Sequence, residues 1–209
     1  SLMNYTYLNP SLTSMERTLN LLSLMTLEEK IGQMMQISYS IVNPTQAEEW
    51  VTKKFSGSFL HVLGDNADHL QELALSTRLG IPLIFGIDAI HGHGLLNGAT
   101  IFPSQLAMSC SFNTSLLEKA GRLTAREVAA DGLHWTFSPV LCIGRDIRWG
   151  RIAETFGEDP YLIGVLGAAI IKGYQGDNLS DPDSILACAK HYLAYGESKI
   201  GRASCRERV

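Results

Sequence analysis

The sequence predicts an α/β fold, in the form of an incomplete (β/α)8 barrel of the TIM type with about its first four βα units. Three observations predict it. Short apolar runs without clean alternation are typical of parallel strands covered on both faces. These runs alternate with helical segments along the chain, which is the order of βα units. Polar residues follow the ends of several of the apolar runs.

Four apolar runs are predicted as the strands. Each is rich in Ile, Leu, Val, Phe and Ala and has the length of an ordinary strand. The strands are predicted near residues 58–62, 83–88, 136–141 and 186–191.

The helical segments are recognised by their ends. In "TLEEKIGQMMQ", Thr26 and Glu29 have the spacing of a capping box, and an apolar stripe follows through Met34 and Met35. Three other segments have polar N-caps, a proline in the first turn or a closing glycine. They run from Asp65 or Asn66 to Gly80, from Asn113 or Thr114 to Gly132, and from Asp159 and Pro160 through "YLIGVLGAAIIKGYQG".

A doubly wound sheet and a barrel both fit this order of elements. A dinucleotide-binding sheet should have a glycine-rich phosphate loop after its first strand, but Leu63 is followed by "GDNADH". Polar residues instead follow three strands: Asp88, the stretch 145–151, and the pair Lys190–His191. The C-terminal ends of barrel strands converge on one mouth, where active sites form. The barrel is therefore favoured, and no cofactor is predicted.

Composition narrows the classes of function. The 209 residues are 45% hydrophobic and 18% charged, with a net charge of −4 and no basic stripe, which argues against nucleic acid as a partner. No apolar run approaches the roughly 18 residues of a membrane span, and no signal peptide is visible. Because the chain begins at Ser1, localisation stays open, with a secreted or lumenal protein among the possibilities. Oligomeric state is not predicted.

The cysteines do not suggest a metal or redox site. None of the four is in a CxxC pair or at zinc-finger spacing. Cys142 and Cys188 lie in apolar runs and are interpreted as small buried thiols, whereas Cys110 and Cys205 lie elsewhere.

Three groups of polar residues are candidates for chemistry. Asp88 ends a strand in "FGIDAIHGHG", where its carboxylate suits the two hydroxyls of a vicinal diol, although a helix cap or turn is the simpler interpretation. The stretch "RDIRWGRIAETFGEDP" predicts a salt-bridged loop with at least one arginine directed inward. Lys190 and His191 are adjacent, so both reach one ligand only at the end of a strand, and a structural ion pair is the alternative.

Taken together, four motifs resemble the N-terminal domain of glycoside hydrolase family 3, in its β-glucosidase branch. They are "GIDAIHG", "TIFPSQLAMSCSFN", "FSPVLCIGRDIRWGRIAETFGEDPYL" and "ACAKHYLAYGES", and they cover about Thr26 to Ser198 in order. The resemblance implies that Asp88, Arg151, Lys190 and His191 hold the non-reducing glucose of the substrate. It also implies structural roles for Glu154 and Glu158.

The resemblance further implies hydrolysis of O-glycosyl bonds by a retaining mechanism, with release of terminal β-D-glucose from β-glucosides or oligosaccharides. In the family the nucleophile is an Asp of a later strand, and the acid/base is a Glu from a following loop or domain. Both are expected beyond the chain end, so no catalytic residue is assigned and the fragment is expected to be inactive. β-Xylosidase and β-N-acetylglucosaminidase are alternatives, and "LAYGES" departs from the loop of the latter.

The last ten residues, "IGRASCRERV", look like the translation of a sequencing adapter. Residues 200–209 are therefore interpreted as a non-native tail. The predicted organisation is a lead-in at 1–25, a partial barrel domain at 26–199, and this tail.

Two other classes of function remain open. His91 and His93 form an HxH motif at a strand end, which some metal-dependent barrel hydrolases use, with His61, His134 and His191 on other strands. A catalytic zinc site usually needs a third ligand, and Gly92 and Gly94 make this segment a flexible turn. The other class is a sugar-binding module without catalysis.

Overall fold

The computed structural model describes residues 5–197, which divide into two compact units. Unit 1 comprises residues 5–60 and 68–83, and unit 2 comprises 61–67 and 84–197. The tail predicted at 200–209, with Cys205, lies outside the described residues. The main elements are α1 Ser14–Leu24, α2 Leu27–Gln33, β1 Gln36–Ser38, α3 Pro44–Thr52, β2 Ser58–Leu60, α4 Asp65–Ser76, β3 Ile84–Ile87, α5 Gln105–Ser109, α6 Thr114–Ala130, β4 Trp135–Thr136 and α7 Pro160–Gln175.

Unit 1 contains two parallel strands and the helices around them. β1 pairs with β2 in a register that runs from Gln36 opposite Ser58 to Ser38 opposite Leu60. The predicted capping box of α2 is confirmed: the backbone N–H of Thr26 donates to the Glu29 carboxylate at 2.8 Å, and Glu29 N–H donates back to Thr26 Oγ1 at 3.2 Å.

The prediction that α2 continues through Met34 and Met35 was wrong. The helix ends at Gln33, both methionines are exposed, and Gln36 already begins β1. Only Ile37 of this strand is buried, so three residues were too few to show a strand pattern. Pairing with β2, which is distant in sequence, determines the strand.

Unit 2 contains β3 and β4, also parallel, with Gly86 opposite Trp135 and Ile87 opposite Thr136. The helix caps predicted from sequence are confirmed here. Asn113 Oδ1 accepts from Leu116 N–H at 3.1 Å, and Asp159 Oδ1 accepts from Leu162 N–H at 2.7 Å, with Pro160 in the first turn of α7. α6 and α7 pack directly against each other.

The two later strands are less regular than predicted. β4 covers only Trp135–Thr136, and 186–191 is not a continuous strand. It nevertheless runs parallel to β4 and to the segment after it, with bridges from Trp135 to Leu186 and from Val140 to Lys190. Pro139 has no N–H to donate, and a proline interrupts a strand ladder at such a position. The parallel direction of the segment 186–191 was predicted correctly, but its prediction as a continuous strand was wrong.

The fold belongs to the α/β class and is an incomplete barrel. Four parallel strands occur among residues 5–197, where a closed (β/α)8 barrel has eight. Within the same residues, no helix is both long enough and apolar enough to cross a membrane.

The cysteines differ in exposure. Cys142 is buried, as predicted, but Cys188 is only half-buried, and Cys110 is exposed. All three are free thiols.

Candidate functional site

Asp88 follows β3 directly, and both of its carboxylate oxygens have partners. Lys190 Nζ lies 3.2 Å from Oδ1, and His61 Nε2 lies 3.0 Å from Oδ2. The Asp88 side chain is 43% exposed and that of Lys190 only 14%. The structure thus brings together two of the predicted residues, and the carboxylate remains open to solvent while its cationic partner is largely covered.

His61 was not predicted as a partner of Asp88; the sequence placed it only among possible metal ligands. It follows β2 by one residue and has a positive φ of 62°. Its backbone N–H donates to the carbonyl oxygen of Gly86 at 2.9 Å. Gly86 lies in β3, two residues before Asp88. The only available signal was a polar residue inside the apolar run "GSFLHVL".

Lys190 is also supported by an aromatic ring. Its ammonium lies 5.9 Å from the ring centroid of Phe137, within the range of a cation–π interaction. Gly86 leaves room for this ring, because a Cβ on Gly86 would collide with Phe137. A strand-end lysine is costly to bury without partners, and here Asp88 and Phe137 supply them.

Arg151 and His191 form the second part of the site. Arg151 donates through Nε and Nη2 to the two carboxylate oxygens of Glu154, at 2.7 and 2.6 Å, and its Nη1 lies 3.3 Å from His191 Nε2. The bidentate pair with Glu154 is the main reason that the pKa of Arg151 is raised. Glu154 therefore holds Arg151 in place, in keeping with its predicted structural role.

These contacts determine the tautomer of His191. A guanidinium nitrogen only donates hydrogen bonds, so Nε2 must accept from Arg151 and the proton of the neutral ring lies on Nδ1. Nδ1 lies 3.5 Å from Cys142 Sγ, which also accepts from the His191 backbone N–H at 3.4 Å. Burial lowers the pKa of His191, and the charges of Arg151 and Lys190 lower it further. The ring is accordingly neutral at neutral pH.

Tyr195 packs against both partners of this pair. Its ring centroid lies 4.7 Å from that of His191, 5.3 Å from that of Trp149 and 5.4 Å from Arg151 Cζ. Trp149 and Tyr195 are buried together with Val140 and Cys142. Tyr195 was missed from sequence because neither of the two tyrosines in "YLAYGE" is a specific signal.

In the charged stretch after β4, Arg151 contacts His191, and Glu154 contacts Arg151. The other charged residues of this stretch have different partners. Arg148 pairs with Asp146 at 2.9 Å and Arg145 with Glu197 at 3.4 Å, and the side chains of both arginines are largely exposed. Asp159 caps α7. The loop is salt-bridged with an arginine directed inward, as predicted.

His91 and His93, the pair considered for a metal, lie in different environments. His93 is buried and its Nε2 lies 2.9 Å from Asp131 Oδ2. His91 Nδ1 lies 3.0 Å from the carbonyl oxygen of Phe102. Across residues 5–197, no group of three or more His, Cys, Asp or Glu side chains is arranged to hold a metal ion.

An open cavity adjoins the site. It has a volume of about 510 Å³, within the range of small-molecule pockets. Its lining includes Cys142, Lys190, His191 and Tyr195. A ligand in this cavity would contact the Lys190–His191 pair directly.

The fold and the site together define an α/β barrel-type domain with charged side chains gathered where parallel chain segments end. Residues 26–203 match the family model for the glycosyl hydrolase family 3 N terminal domain. The chain belongs to this family. The match includes residues 200–203, so the predicted start of the tail at 200 stays a prediction.

Relatives agree with this assignment. The chain is 37% identical over 186 residues to a periplasmic beta-glucosidase of Salmonella typhimurium, covering 88% of this chain and 24% of that protein. It is 32% identical to a xylan 1,4-beta-xylosidase of Xylanibacter ruminicola, covering 94% of this chain and 21% of that protein. The chain thus spans about a quarter of the length of these curated relatives.

Solved structures show the same fold. A β-glucosidase involved in saponin metabolism from intestinal bacteria is 50% identical, with a TM-score of 0.76 over 86% of this chain and 24% of that one. The β-glucosidase from Listeria innocua in complex with glucose is 38% identical, with a TM-score of 0.79 over 90% of this chain and 28% of that one.

Proposed function

We propose that this chain supplies the sugar-binding side of a retaining β-glucosidase, with Asp88, Arg151, Lys190 and His191 as the residues that hold the terminal glucose. The observation that carries the proposal is the Asp88 carboxylate. It lies at the end of β3, is exposed, and is paired with Lys190 at 3.2 Å. Membership of glycosyl hydrolase family 3 supports it.

The arrangement suits a polyhydroxylated ligand. A carboxylate has about four lone-pair sites, so Asp88 can accept from two sugar hydroxyls while its present partners remain bound. The Lys190 ammonium has three donors and uses one on Asp88. Acceptor and donor groups therefore lie side by side, as neighbouring hydroxyls require.

We propose that Asp88 binds the sugar and that Glu154 holds Arg151. Neither carboxylate is proposed to react with the substrate. A retaining hydrolase needs one carboxylate as nucleophile and one carboxylic acid, about 5 Å apart. Glu154 accepts two hydrogen bonds from Arg151, and Asp88 has a partner on each oxygen. Protonation of either would weaken these contacts, so neither suits the role of acid. We assign the nucleophile to another residue as well, because Asp88 is proposed to bind sugar hydroxyls and Glu154 to hold Arg151.

β-Xylosidase is the second candidate, because relatives about as similar carry that name. The two activities differ in the hydroxymethyl group of the sugar. They are separated by comparing kcat/KM for aryl β-D-glucosides and β-D-xylosides, using the longest natural protein that carries this chain.

The same assay tests the proposal. We expect hydrolysis of the aryl β-D-glucoside with retention at the anomeric carbon, which NMR of the first-formed sugar shows directly. Absence of glycosidase activity in that protein, or release of the inverted sugar, would contradict the proposed function.

A further inference from the structure

The imidazole of His61 contacts Asp88, yet His61 is not among the residues assigned to the sugar. We propose that His61 is a positioning residue that fixes the plane of the Asp88 carboxylate for two sugar hydroxyls. This proposal rests on the proposed function of Asp88.

The first support is the geometry of the carboxylate. The terminal torsion of an aspartate is soft, so a carboxylate held on one oxygen can still rotate. Here Lys190 Nζ lies 3.2 Å from Oδ1 and His61 Nε2 lies 3.0 Å from Oδ2. Two partners on opposite oxygens prevent that rotation. The 43% exposure of the Asp88 side chain leaves further lone pairs open to a ligand.

The second support is the backbone of His61. Its φ of 62° lies in the left-handed region, which glycine adopts without strain and which other residues adopt less often, histidine more readily than most of them. Its N–H donates to Gly86 O at 2.9 Å, which ties it to the strand that presents Asp88. A glycine would satisfy this backbone better, so the backbone does not account for a histidine here. The contact of the imidazole ring with Asp88 accounts for the histidine instead.

The experiment uses four forms of the 209-residue chain: unaltered, His61→Gly, His61→Asn and His69→Ala. Glycine removes the ring and suits the left-handed backbone, so His61→Gly should retain the thermal stability of the parent. Asparagine also tolerates this region and keeps an amide donor. His69→Ala is the matched control, because His69 Nε2 on α4 makes a similar contact, at 2.8 Å, with Glu48 Oε1 on α3.

Two readouts are measured: the orientation of the Asp88 carboxylate in crystal structures, and the Kd for glucose by NMR titration. We expect one Asp88 orientation in the unaltered chain and in His69→Ala, and more than one in His61→Gly. The Kd of His61→Gly should rise about tenfold, the size of one hydrogen bond to a charged group. His61→Asn should bind more tightly than His61→Gly.

The outcomes separate the two proposals. A single unchanged Asp88 orientation in His61→Gly, or equal glucose affinity of His61→Gly and the unaltered chain, would overturn the role of His61. Equal affinity of the glycine and asparagine variants would also overturn it, because the donor would then have no effect. If the unaltered chain binds no glucose, the proposed function fails, and the Asp88 orientation still decides whether His61 positions it.

Discussion

At the scale of single residues, Asp88 is the side chain that we propose contributes most to sugar binding. In the longest natural protein that carries this chain, we expect Asp88→Ala to lower kcat/KM for a β-glucoside by about 100-fold or more. Hydrogen bonds to sugar hydroxyls strengthen in the transition state, and truncation leaves Lys190 and His61 without their shared partner.

The matched control for this prediction is Asp68→Ala on α4, where the aspartate is exposed. Its steady-state kinetics should stay within about twofold of the parent enzyme, as for most surface substitutions. Kinetics of Asp88→Ala as close to the parent as those of the control would remove Asp88 from the site.

His191 gives the site a dependence on pH. Its pKa is lowered in the folded chain, first by burial and then by Arg151 and Lys190. Between the folded pKa and the unfolded value of about 6.5, the unfolded chain binds more protons, so stability rises with pH there. The contribution of His191 is fully present above about pH 6.5 and falls as the pH drops towards the folded pKa.

We therefore expect acidification to lower the melting temperature of the 209-residue chain more than that of its His191→Gln variant. Thermal unfolding of both, followed between about pH 8 and pH 5, measures this difference in slope. Parallel curves would mean that His191 has the same pKa in the folded and unfolded chains.

At the scale of elements, the packing of α6 on α7 depends on glycine. A Cβ on Gly173 would collide with the carbonyl oxygen of Glu118, whereas a Cβ on Gly164, in the same helix, meets nothing within 4 Å. We expect Gly173→Ala to lower the free energy of unfolding by about 1–3 kcal/mol through overpacking. Gly164→Ala should leave it unchanged or raise it by up to about 1 kcal/mol, because alanine is the better helix former.

Denaturant unfolding of the two alanine variants measures both values against the parent chain. The contrast within one helix separates helix propensity, which favours alanine at both positions, from packing, which opposes it at Gly173 only. Stabilisation by both substitutions would show that α6 and α7 do not approach closely at Gly173.

At the scale of the whole molecule, the chain is a partial barrel, and we propose that it binds sugar without reacting. Four parallel strands are present among residues 5–197, and the carboxylates of Asp88 and Glu154 are engaged by other side chains. We expect the purified 209-residue chain to release no p-nitrophenol from an aryl β-glucoside above the rate of a buffer blank. An enzyme-like rate from this chain would show that the two reacting carboxyls lie within it.

The sequence by itself determined the elements whose signals are local. The capping box of Thr26 and Glu29 and the caps Asn113 and Asp159 were predicted correctly, because a side chain that bonds to the backbone three residues on acts within one helical turn. The same kind of signal was present before α1, where Thr13 and Glu16 form a capping box that was not recognised. The motifs around Asp88, Arg151 and Lys190–His191 also led to the family.

Only the tertiary structure decided which side chains meet. His61 and Asp88 are 27 residues apart and Asp88 and Lys190 are 102 apart, so no local pattern encodes either contact. The three-residue strand β1 exists because β2 pairs with it, and the tautomer of His191 follows from Arg151, which is distant in sequence. Local hydrogen bonds can be predicted because both partners lie a few residues apart in the sequence. Contacts across the fold cannot, because they depend on how distant strands pack together.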